Sequence, residues 1–234
     1  MSESSRIARR TACAAMLGAG GTLLLGRQLP AAEKEKQSPK GGKLPSFKNA
    51  DFYDAAGKFN AEAAKDAYLA LMRAFGYPIG KKLRETLGVT DFGLGRFMEV
   101  GLGMNIWVSD KKYNYTTLEI YLLPNQMIPE HWHVALEAEG VASKMESWLV
   151  RYGTSYTCGE GPAAAKIGVK IHQSEKKFVT VMNETVLHVG DVTGIKRPGE
   201  KHWQQAGPEG AIVTEVSTYH AGEAVRFTNP SIKF

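Results

Sequence analysis

The part of the chain that follows Gly93 alternates short apolar segments with clusters of turn residues, and this alternation limits the possible folds more than any other feature. Turn-forming residues such as Pro124, Gly161 and Gly190 separate the segments. Many short strands at such spacing predict an antiparallel β-sandwich or β-barrel. The expected strands cover residues 97–108, 117–123, 147–151, 164–172, 178–181, 185–189 and 211–217.

The residues before this region have the periodicity of helices. Asn60 is a favourable N-cap, and apolar residues recur at helical spacing from there up to Gly76. Pro78 then prevents the helix from continuing. We therefore expect a helical extension over residues 51–92, without site chemistry of its own, followed by a β-domain over residues 93–234.

Residues 1–32 have the composition of an export signal. Several arginines precede a modestly apolar, glycine-rich stretch, and small residues follow it. The adjacent Arg9 and Arg10 resemble a twin-arginine signal of the bacterial type, with a Sec signal or a retained membrane anchor as the alternatives. We expect an exported, periplasmic protein with no stable membrane span after processing, and a solvated linker over residues 33–50.

Charge and cysteine content exclude several classes of protein. The whole chain carries a formal charge of +5, and removal of residues 1–32 takes away four arginines and one glutamate, which leaves +2. A nearly neutral body lacks the basic surface that nucleic-acid binding needs. The chain has only two cysteines, Cys13 and Cys158, which excludes a disulfide scaffold and a Cys-rich zinc module.

The segment 129–133 contains the pattern His-x-His. In a strand, residues two apart point to the same face, so His131 and His133 would aim both imidazoles at one point. Two converging neutral imidazoles are typical ligands of first-row metals. The pattern alone is a weak signal, because it also occurs by chance at exposed positions.

A candidate carboxylate ligand lies on the next expected strand. Glu146 shares a strand face with Lys144 and with an apolar neighbour, and a buried carboxylate needs a cation nearby. One alternative is a surface Glu146 paired with Lys144. Another is a ligand at Glu137 or Glu139, which lie closer to the histidines in the sequence.

A third histidine follows a rigid turn. Pro198 fixes the chain, and Gly199 permits a positive φ, so the following strand can point back into the β-domain. His202 would then complete a site of three histidines and one carboxylate.

These segments resemble the two sequence motifs of the cupin family. The first runs from Asn125 through His131-x-His133 to Glu146 and Gly153, and the six residues before Gly153 favour Glu146 over the two nearer glutamates. The cupin pattern has glycine at the position of Asn125, but Asn also tolerates a left-handed turn.

The second cupin motif is similar to residues 190–202. The resemblance implies a mainly β protein with a single cupin barrel, that is, a double-stranded β-helix or jelly roll, preceded by the helical extension. It also implies one divalent metal ion, held by His131, His133, Glu146 and His202.

A narrower resemblance is to the D-lyxose isomerase branch of the cupins. It rests on residues 144–148 and on the tail from residue 215 to residue 230, and it extends roughly from Phe52 to the last residue. It implies a small-molecule sugar substrate, interconversion of D-lyxose and D-xylulose, and usually manganese. Ligand type alone also permits iron, cobalt, nickel or zinc. We further expect a homodimer.

An aldose–ketose isomerase must also move one proton between C1 and C2. Glu215 is the candidate base, because it would face inward on the last apolar strand; the alternative is a structural Glu215 paired with an arginine. Lys144 could polarise the substrate carbonyl or form a salt bridge. Arg226 could hold a distal hydroxyl or pair with Glu215.

Two other functions suit the same ligand set. A cupin dioxygenase would use iron with open positions for oxygen, and a non-catalytic cupin would bind a sugar or a metal. We interpret the remaining histidines, His172, His188 and His220, as surface or turn residues.

Overall fold

The computed structural model describes residues 43–234. The expected export signal over residues 1–32 and most of the expected linker lie outside the described residues. The strands are Gly88–Thr90 (β1), Leu102–Asp110 (β2), Tyr115–Leu122 (β3), Met127–His133 (β4), Glu146–Gly159 (β5), Asn183–Leu187 (β6), Val192–Gly194 (β7), His202–Ser217 (β8) and Val225–Phe227 (β9). The α-helices are Ala61–Phe75 (α1) and Leu83–Thr86 (α2), and 3₁₀ helices cover Asn49–Phe52, Glu137–Glu139 and Gly222–Ala224.

The strands form one antiparallel sheet, which confirms the mainly β fold. Its order is β1-β2-β3-β8-β4-β9, and β5 pairs with β6, β7 and β8. The hydrogen-bonded ladder does not close between β1 and β9, so the expected cupin barrel is open along this edge and a closed barrel is not confirmed. Aromatic side chains lie near this gap, where the ring centroids of Phe92 and Phe227 are 5.7 Å apart.

The two longest strands, β5 and β8, form a ribbon that folds over on itself. Glu146 pairs with Ser217 at one end of the ribbon, and Gly159 pairs with His202 at the other. Glu146 Oε1 nevertheless lies only 3.0 Å from His202 Nε2. The ribbon therefore brings its two ends face to face, and the space between its halves becomes the interior of the domain.

The bend in this ribbon requires glycine at Gly153. Its φ is +72°, and a Cβ added there would lie 2.0 Å from the carbonyl oxygen of Gly210 on the neighbouring strand. Such a contact is with backbone and cannot be relieved by a change of rotamer. Gly153 therefore lets β5 and β8 cross closely where the ribbon changes direction.

We expect Gly153→Ala to lower the free energy of unfolding by about 3 kcal/mol, because a left-handed backbone and a steric clash act together. Gly57→Ala is the matched control: its φ is +76°, but its added Cβ meets no described atom within 4 Å. The control should lose about 1 kcal/mol. Urea unfolding monitored by circular dichroism measures the free energy of unfolding of both variants. Equal losses would contradict the claim that the bend in the ribbon requires glycine at position 153.

Helix α1 begins and ends where the sequence predicts. The Asn60 side chain accepts a hydrogen bond from the Ala63 N–H at 3.1 Å, and Gly76 closes the helix with a φ of +68°. The helix packs on the sheet through Tyr68, whose hydroxyl donates to Gln126 Oε1 at 2.7 Å. None of the helices within residues 43–234 has the length and hydrophobicity that crossing a bilayer requires.

Some of the expected boundaries are wrong. Residues 164–172 and 178–181 are irregular rather than strands. Residues 88–90, expected in the helical extension, form the edge strand β1. Two residues of the expected solvated linker, Leu44 and Phe47, pack against the apolar cluster around α1.

Candidate metal centre

Three strands bring the four predicted metal ligands together. His131 and His133 come from β4, Glu146 begins β5, and His202 begins β8. One ligand atom from each residue lies within 4.8 Å of every other. The four residues are buried, except that His131 is half-buried. The positive φ of 59° at Asn125, the residue that departs from the cupin pattern, shows that Asn serves in the turn before β4.

Backbone carbonyls fix the orientation of two of the imidazoles. His131 Nδ1 lies 2.8 Å from the carbonyl oxygen of Pro129, and His202 Nδ1 lies 2.9 Å from that of Glu200. An Nδ1–H that donates to a carbonyl leaves Nε2 as the unprotonated nitrogen. This second contact is typical of histidines that bind a metal through Nε2.

The converging atoms face one another without forming hydrogen bonds. His133 Nε2 and His202 Nε2 lie 3.2 and 3.0 Å from Glu146 Oε1, all three atoms are buried, and none has a hydrogen-bond partner among residues 43–234. Buried polar atoms without hydrogen bonds are costly, and three of them in mutual contact suit a cation bound between them. Imidazole nitrogens combined with one carboxylate oxygen suit a divalent first-row metal ion, and the residues present therefore fit such an ion.

A buried lysine links the candidate ligand to the candidate base. Lys144 Nζ lies 2.7 Å from Glu146 Oε2 and 2.5 Å from Glu215 Oε1. Burial disfavours the Lys144 ammonium, but the two carboxylates outweigh it and raise the pKa of Lys144 above its ordinary value. The sequence left two roles open for Lys144, namely polarisation of the substrate carbonyl and a salt bridge. In the structure its ammonium forms ion pairs with two carboxylates.

The charges at the centre favour the ionised carboxylate. Burial alone would raise the pKa of Glu146, yet Lys144 and His202 hold it well below its usual range. Burial, together with the neighbouring histidines, lowers the pKa of His131 well below its ordinary value. An ionised carboxylate and a neutral imidazole are the forms that bind metals. Burial opposes the His202 cation, but Glu146 raises the pKa of His202, so a proton and a metal ion compete for this imidazole.

The two nearer glutamates lie away from the centre. Glu137 and Glu139 are exposed on the 3₁₀ helix Glu137–Glu139. We expect Glu146→Gln to lose most of its bound metal, because the variant removes the anionic ligand, whereas Glu137→Gln keeps it. Metal content after dialysis, measured by mass spectrometry, tests this, and loss from Glu137→Gln alone would contradict the assignment.

The other predicted catalytic residues have different positions. Glu215 is buried on the inner face of β8, as expected. Arg226 is exposed on β9, and its guanidinium donates to the backbone carbonyls of Glu223 and Val225. It does not line the cavity beside the metal centre, because its strand neighbours Val225 and Phe227 occupy the inner face. In this position Arg226 neither faces the cavity nor pairs with Glu215, so the structure supports neither of the two roles expected of it.

Sequence reasoning missed two residues of the site. His220, interpreted as a surface or turn residue, lines the cavity, and its ring centroid lies 6.1 Å from that of His133. Gln204 lines the cavity from β8 and is 2% exposed. Alternation along β8 from His202 could have revealed Gln204. The sequence around His220 carries no comparable signal. His172 and His188 lie outside the cavity lining.

The cavity next to the centre has a volume of about 550 Å³, its open mouth included. Besides the four candidate ligands, its polar lining comprises Lys144, Gln204, Glu215 and His220. The remaining lining is apolar and includes Leu118, Ile120, Trp148 and Phe227. The site thus combines a cation-binding centre, a buried lysine–carboxylate pair and an adjoining, largely apolar cavity that opens to solvent.

Comparison with characterised proteins places this site in context. No protein-family model matches the chain. It is 34% identical over 170 residues to a D-lyxose ketol-isomerase of Cohnella laeviribosi, which covers 73% of this chain and 91% of that protein. It is also 34% identical over 172 residues to a D-lyxose/D-mannose isomerase of Thermosediminibacter oceani, covering 74% of this chain and 92% of the relative.

A solved structure supports the fold. The L-ribose isomerase of Acinetobacter sp. DL28, in complex with L-ribose, superposes with a TM-score of 0.56 at 16% sequence identity. The match covers 78% of this chain and 95% of that protein. At this identity the likeness concerns the fold alone.

Proposed function

The chain belongs to the D-lyxose ketol-isomerase family and is a metal-dependent aldose–ketose isomerase, and from this premise we propose that it interconverts D-lyxose and D-xylulose. The observation that carries the proposal is the buried pair of Lys144 and Glu215 beside four converging metal-ligand atoms. One cavity thereby offers a place for two substrate oxygens and a group able to accept a proton.

His131, His133, Glu146 and His202 would hold the metal ion. A divalent ion bound there supplies a Lewis acid for the oxygens on C1 and C2 of the sugar. Each imidazole offers one nitrogen, and Glu146 offers Oε1 while its Oε2 remains bound to Lys144. The Lys144 ammonium therefore balances the negative charge of Glu146 at the carboxylate oxygen that does not face the metal site.

Glu215 is the proposed proton shuttle. It is 5% exposed and its Oε1 contacts only Lys144 Nζ among the described charged groups. As an acceptor at C2 of an aldose, it would take the carbon-bound proton and return it to C1 of the enediolate. Lys144 holds the carboxylate in place and compensates its negative charge.

The same pair distinguishes this proposal from the two alternatives. A dioxygenase needs open metal positions for oxygen, and a binding protein needs a site for a sugar or a metal. Neither needs a base paired with a buried ammonium. Placing Lys144 and Glu215 together in the interior costs desolvation free energy for both groups. A proton-transfer step gives that arrangement a use, and therefore favours the isomerase.

Turnover by the purified protein tests the proposal. The protein is loaded with Mn²⁺, and D-lyxose, D-mannose, D-xylose and L-ribose are offered under the same conditions. We expect D-xylulose to form from D-lyxose, detected by chromatography. The absence of turnover of every sugar by metal-loaded protein would overturn the isomerase.

We further propose manganese as the native metal, a homodimer as the working form, and export through a twin-arginine route. The first two rest on the resemblance and are tested by elemental analysis of the natively purified protein and by light scattering. The third rests on Arg9 and Arg10. Replacing both by lysine keeps the charge, and it should leave activity in the cytoplasm instead of the periplasm.

A further inference from the structure

The cavity is polar next to the candidate ligands and apolar over most of the rest of its lining. Along β8, the inward-facing residues after His202 are Gln204 and then Ala206. Gln204 pairs with Ile128 of β4, which also lines the cavity. One polar residue therefore follows the ligand on this wall before the wall becomes apolar.

The opposite wall repeats this order. Ser217 pairs with the ligand Glu146, the next inward-facing residue is Glu215, and Val213 follows it. Val213 pairs with Ile120 of β3, and both are buried in the apolar core. Ala206 and Val213 are packed in the core behind the cavity, whereas their neighbours Ile128 and Ile120 line it. On both walls one polar residue therefore lies between the ligand end and an apolar part of the lining.

The polar part of the lining offers few partners for hydroxyl groups. The Lys144 ammonium, which keeps one N–H beyond its two carboxylate contacts, is one. Two more are buried atoms without a hydrogen-bond partner among residues 43–234, Gln204 Oε1 and His220 Nδ1. The remaining polar lining consists of the four candidate ligands and Glu215, the proposed shuttle. Three groups are therefore free to bind hydroxyls of a sugar that is anchored at the centre through O1 and O2.

We infer that this cavity accepts an aldose with three hydroxyls beyond O2 and an apolar chain end, and that it prefers a 6-deoxyaldohexose to the corresponding aldohexose. The inference rests on the proposed function. A pentose has O3, O4 and O5, which match the three partners. An aldohexose adds O6, which would be buried against apolar side chains without a partner, whereas the methyl group of a 6-deoxyaldohexose suits that wall.

The wall also contains a strained aromatic residue. Phe92 has a φ of +55°, which is unusual for a bulky side chain, and it is 1% exposed. Its ring contacts those of Phe227 and Phe234, with centroids 5.7 and 5.8 Å away, and all three line the cavity. Strained backbone conformations are concentrated at binding and active sites, so a strained residue in the wall of the cavity supports a binding role for this surface. Here that surface is aromatic and apolar.

The test is a matched series of sugars offered to the manganese-loaded protein: D-lyxose, D-mannose and 6-deoxy-D-mannose. D-Mannose and 6-deoxy-D-mannose differ only at O6. We expect kcat/KM for 6-deoxy-D-mannose to exceed that for D-mannose by at least about tenfold. The reason is that D-mannose must bury its O6 hydroxyl without a hydrogen-bond partner, whereas 6-deoxy-D-mannose has no such hydroxyl. Binding of D-mannitol and 6-deoxy-D-mannitol, measured by calorimetry, should show the same order without turnover.

A variant of the apolar lining makes the test specific. Ile120→Thr places a hydroxyl in the wall, and Ile120→Val shortens the same side chain without one. The measured quantity is the ratio of kcat/KM for 6-deoxy-D-mannose to kcat/KM for D-mannose. We expect this ratio to be several-fold smaller in Ile120→Thr than in Ile120→Val. If both variants fail to fold, the sugar series with the unaltered protein still decides the inference.

The outcomes separate the inference from the proposed function. Turnover of D-lyxose with D-mannose equal to or better than 6-deoxy-D-mannose would overturn the inference and leave the isomerase standing. No turnover of any of the three sugars would overturn the proposed function and the inference with it.

Discussion

Glu215→Gln should reduce turnover of D-lyxose by about 10²- to 10⁴-fold, the usual cost of removing a positioned base. The amide has nearly the same shape as the carboxylate but cannot accept the carbon-bound proton. Metal content should remain at the level of the unaltered protein, because Glu215 is not among the four converging ligands. Lys144 keeps its contact with Glu146 Oε2 at 2.7 Å, so the carboxylate ligand retains its neighbour.

A matched control lies on the other face of the sheet, where Glu119 pairs with Thr214, the residue before Glu215. Glu119 is also a buried carboxylate, 7% exposed, but it accepts a hydrogen bond from the Thr214 hydroxyl and does not line the cavity. Glu119→Gln should therefore keep most of the turnover. Comparable losses in the two variants would indicate a structural effect of removing buried charge and would reject Glu215 as the shuttle.

Isotope incorporation tests the same step independently of mutation. A proton held on Glu215 between removal and return exchanges with solvent, at least in part. Product formed in heavy water should therefore carry deuterium at C1, measured by mass spectrometry or NMR. A direct hydride shift moves the hydrogen between carbons and leaves no deuterium. Unlabelled product at full turnover would thus contradict the enediolate mechanism, whatever the variants show.

Local signals in the sequence predict those features that local chemistry determines. The ends of α1 follow from the Asn60 cap and the left-handed Gly76. The two histidines of β4 share a face because strand residues alternate, and Glu146 is placed by its spacing from Gly153. Each of these features depends on a few neighbouring residues, which a single sequence contains.

Features that depend on distant partners could not be predicted in this way. The apolar residues of 164–181 suggest strands, but Ile171 and Val179 pack in the cluster around Trp203 without forming a ladder. The Glu130 carboxylate holds this segment by accepting hydrogen bonds from the Thr180 backbone and hydroxyl. The apolar residues of 164–181 therefore indicate that the segment is buried, but they do not indicate that it forms a strand. Whether its backbone groups pair in a ladder depends on residues far away in the chain.

The same limit applies to the site. Lys144 contacts Glu215 because β5 and β8 pair along their whole length, with Trp148 opposite Glu215. His220 comes close to His133 only because the loop after β8 returns over the cavity. Arg226 was expected inside, but the alternation along β9 turns Val225 and Phe227 inward instead. All three positions depend on how distant segments of the chain pack against one another, which a single sequence does not reveal.

The second large effect is expected from removing two ligands together. His131 and His202 pair across β4 and β8, and their ring centroids are 4.2 Å apart. The double variant His131→Ala/His202→Ala leaves His133 and Glu146, which are too few ligands to hold a divalent ion against dialysis. We expect metal content to fall from about one ion per chain to below about a tenth, measured by mass spectrometry, with all turnover lost.

Thermal unfolding provides a second measurement of that variant. A ligand that binds only the folded state at a concentration 100 times its Kd stabilises by about 2.7 kcal/mol. Added Mn²⁺ should therefore raise the Tm of the unaltered protein and leave that of the double variant unchanged. The control is His172→Ala/His188→Ala, which removes two histidines outside the cavity lining and should keep both the metal and the shift in Tm. Full metal content in the His131→Ala/His202→Ala protein would place the ion elsewhere, and the geometry of the four converging residues would then need another explanation.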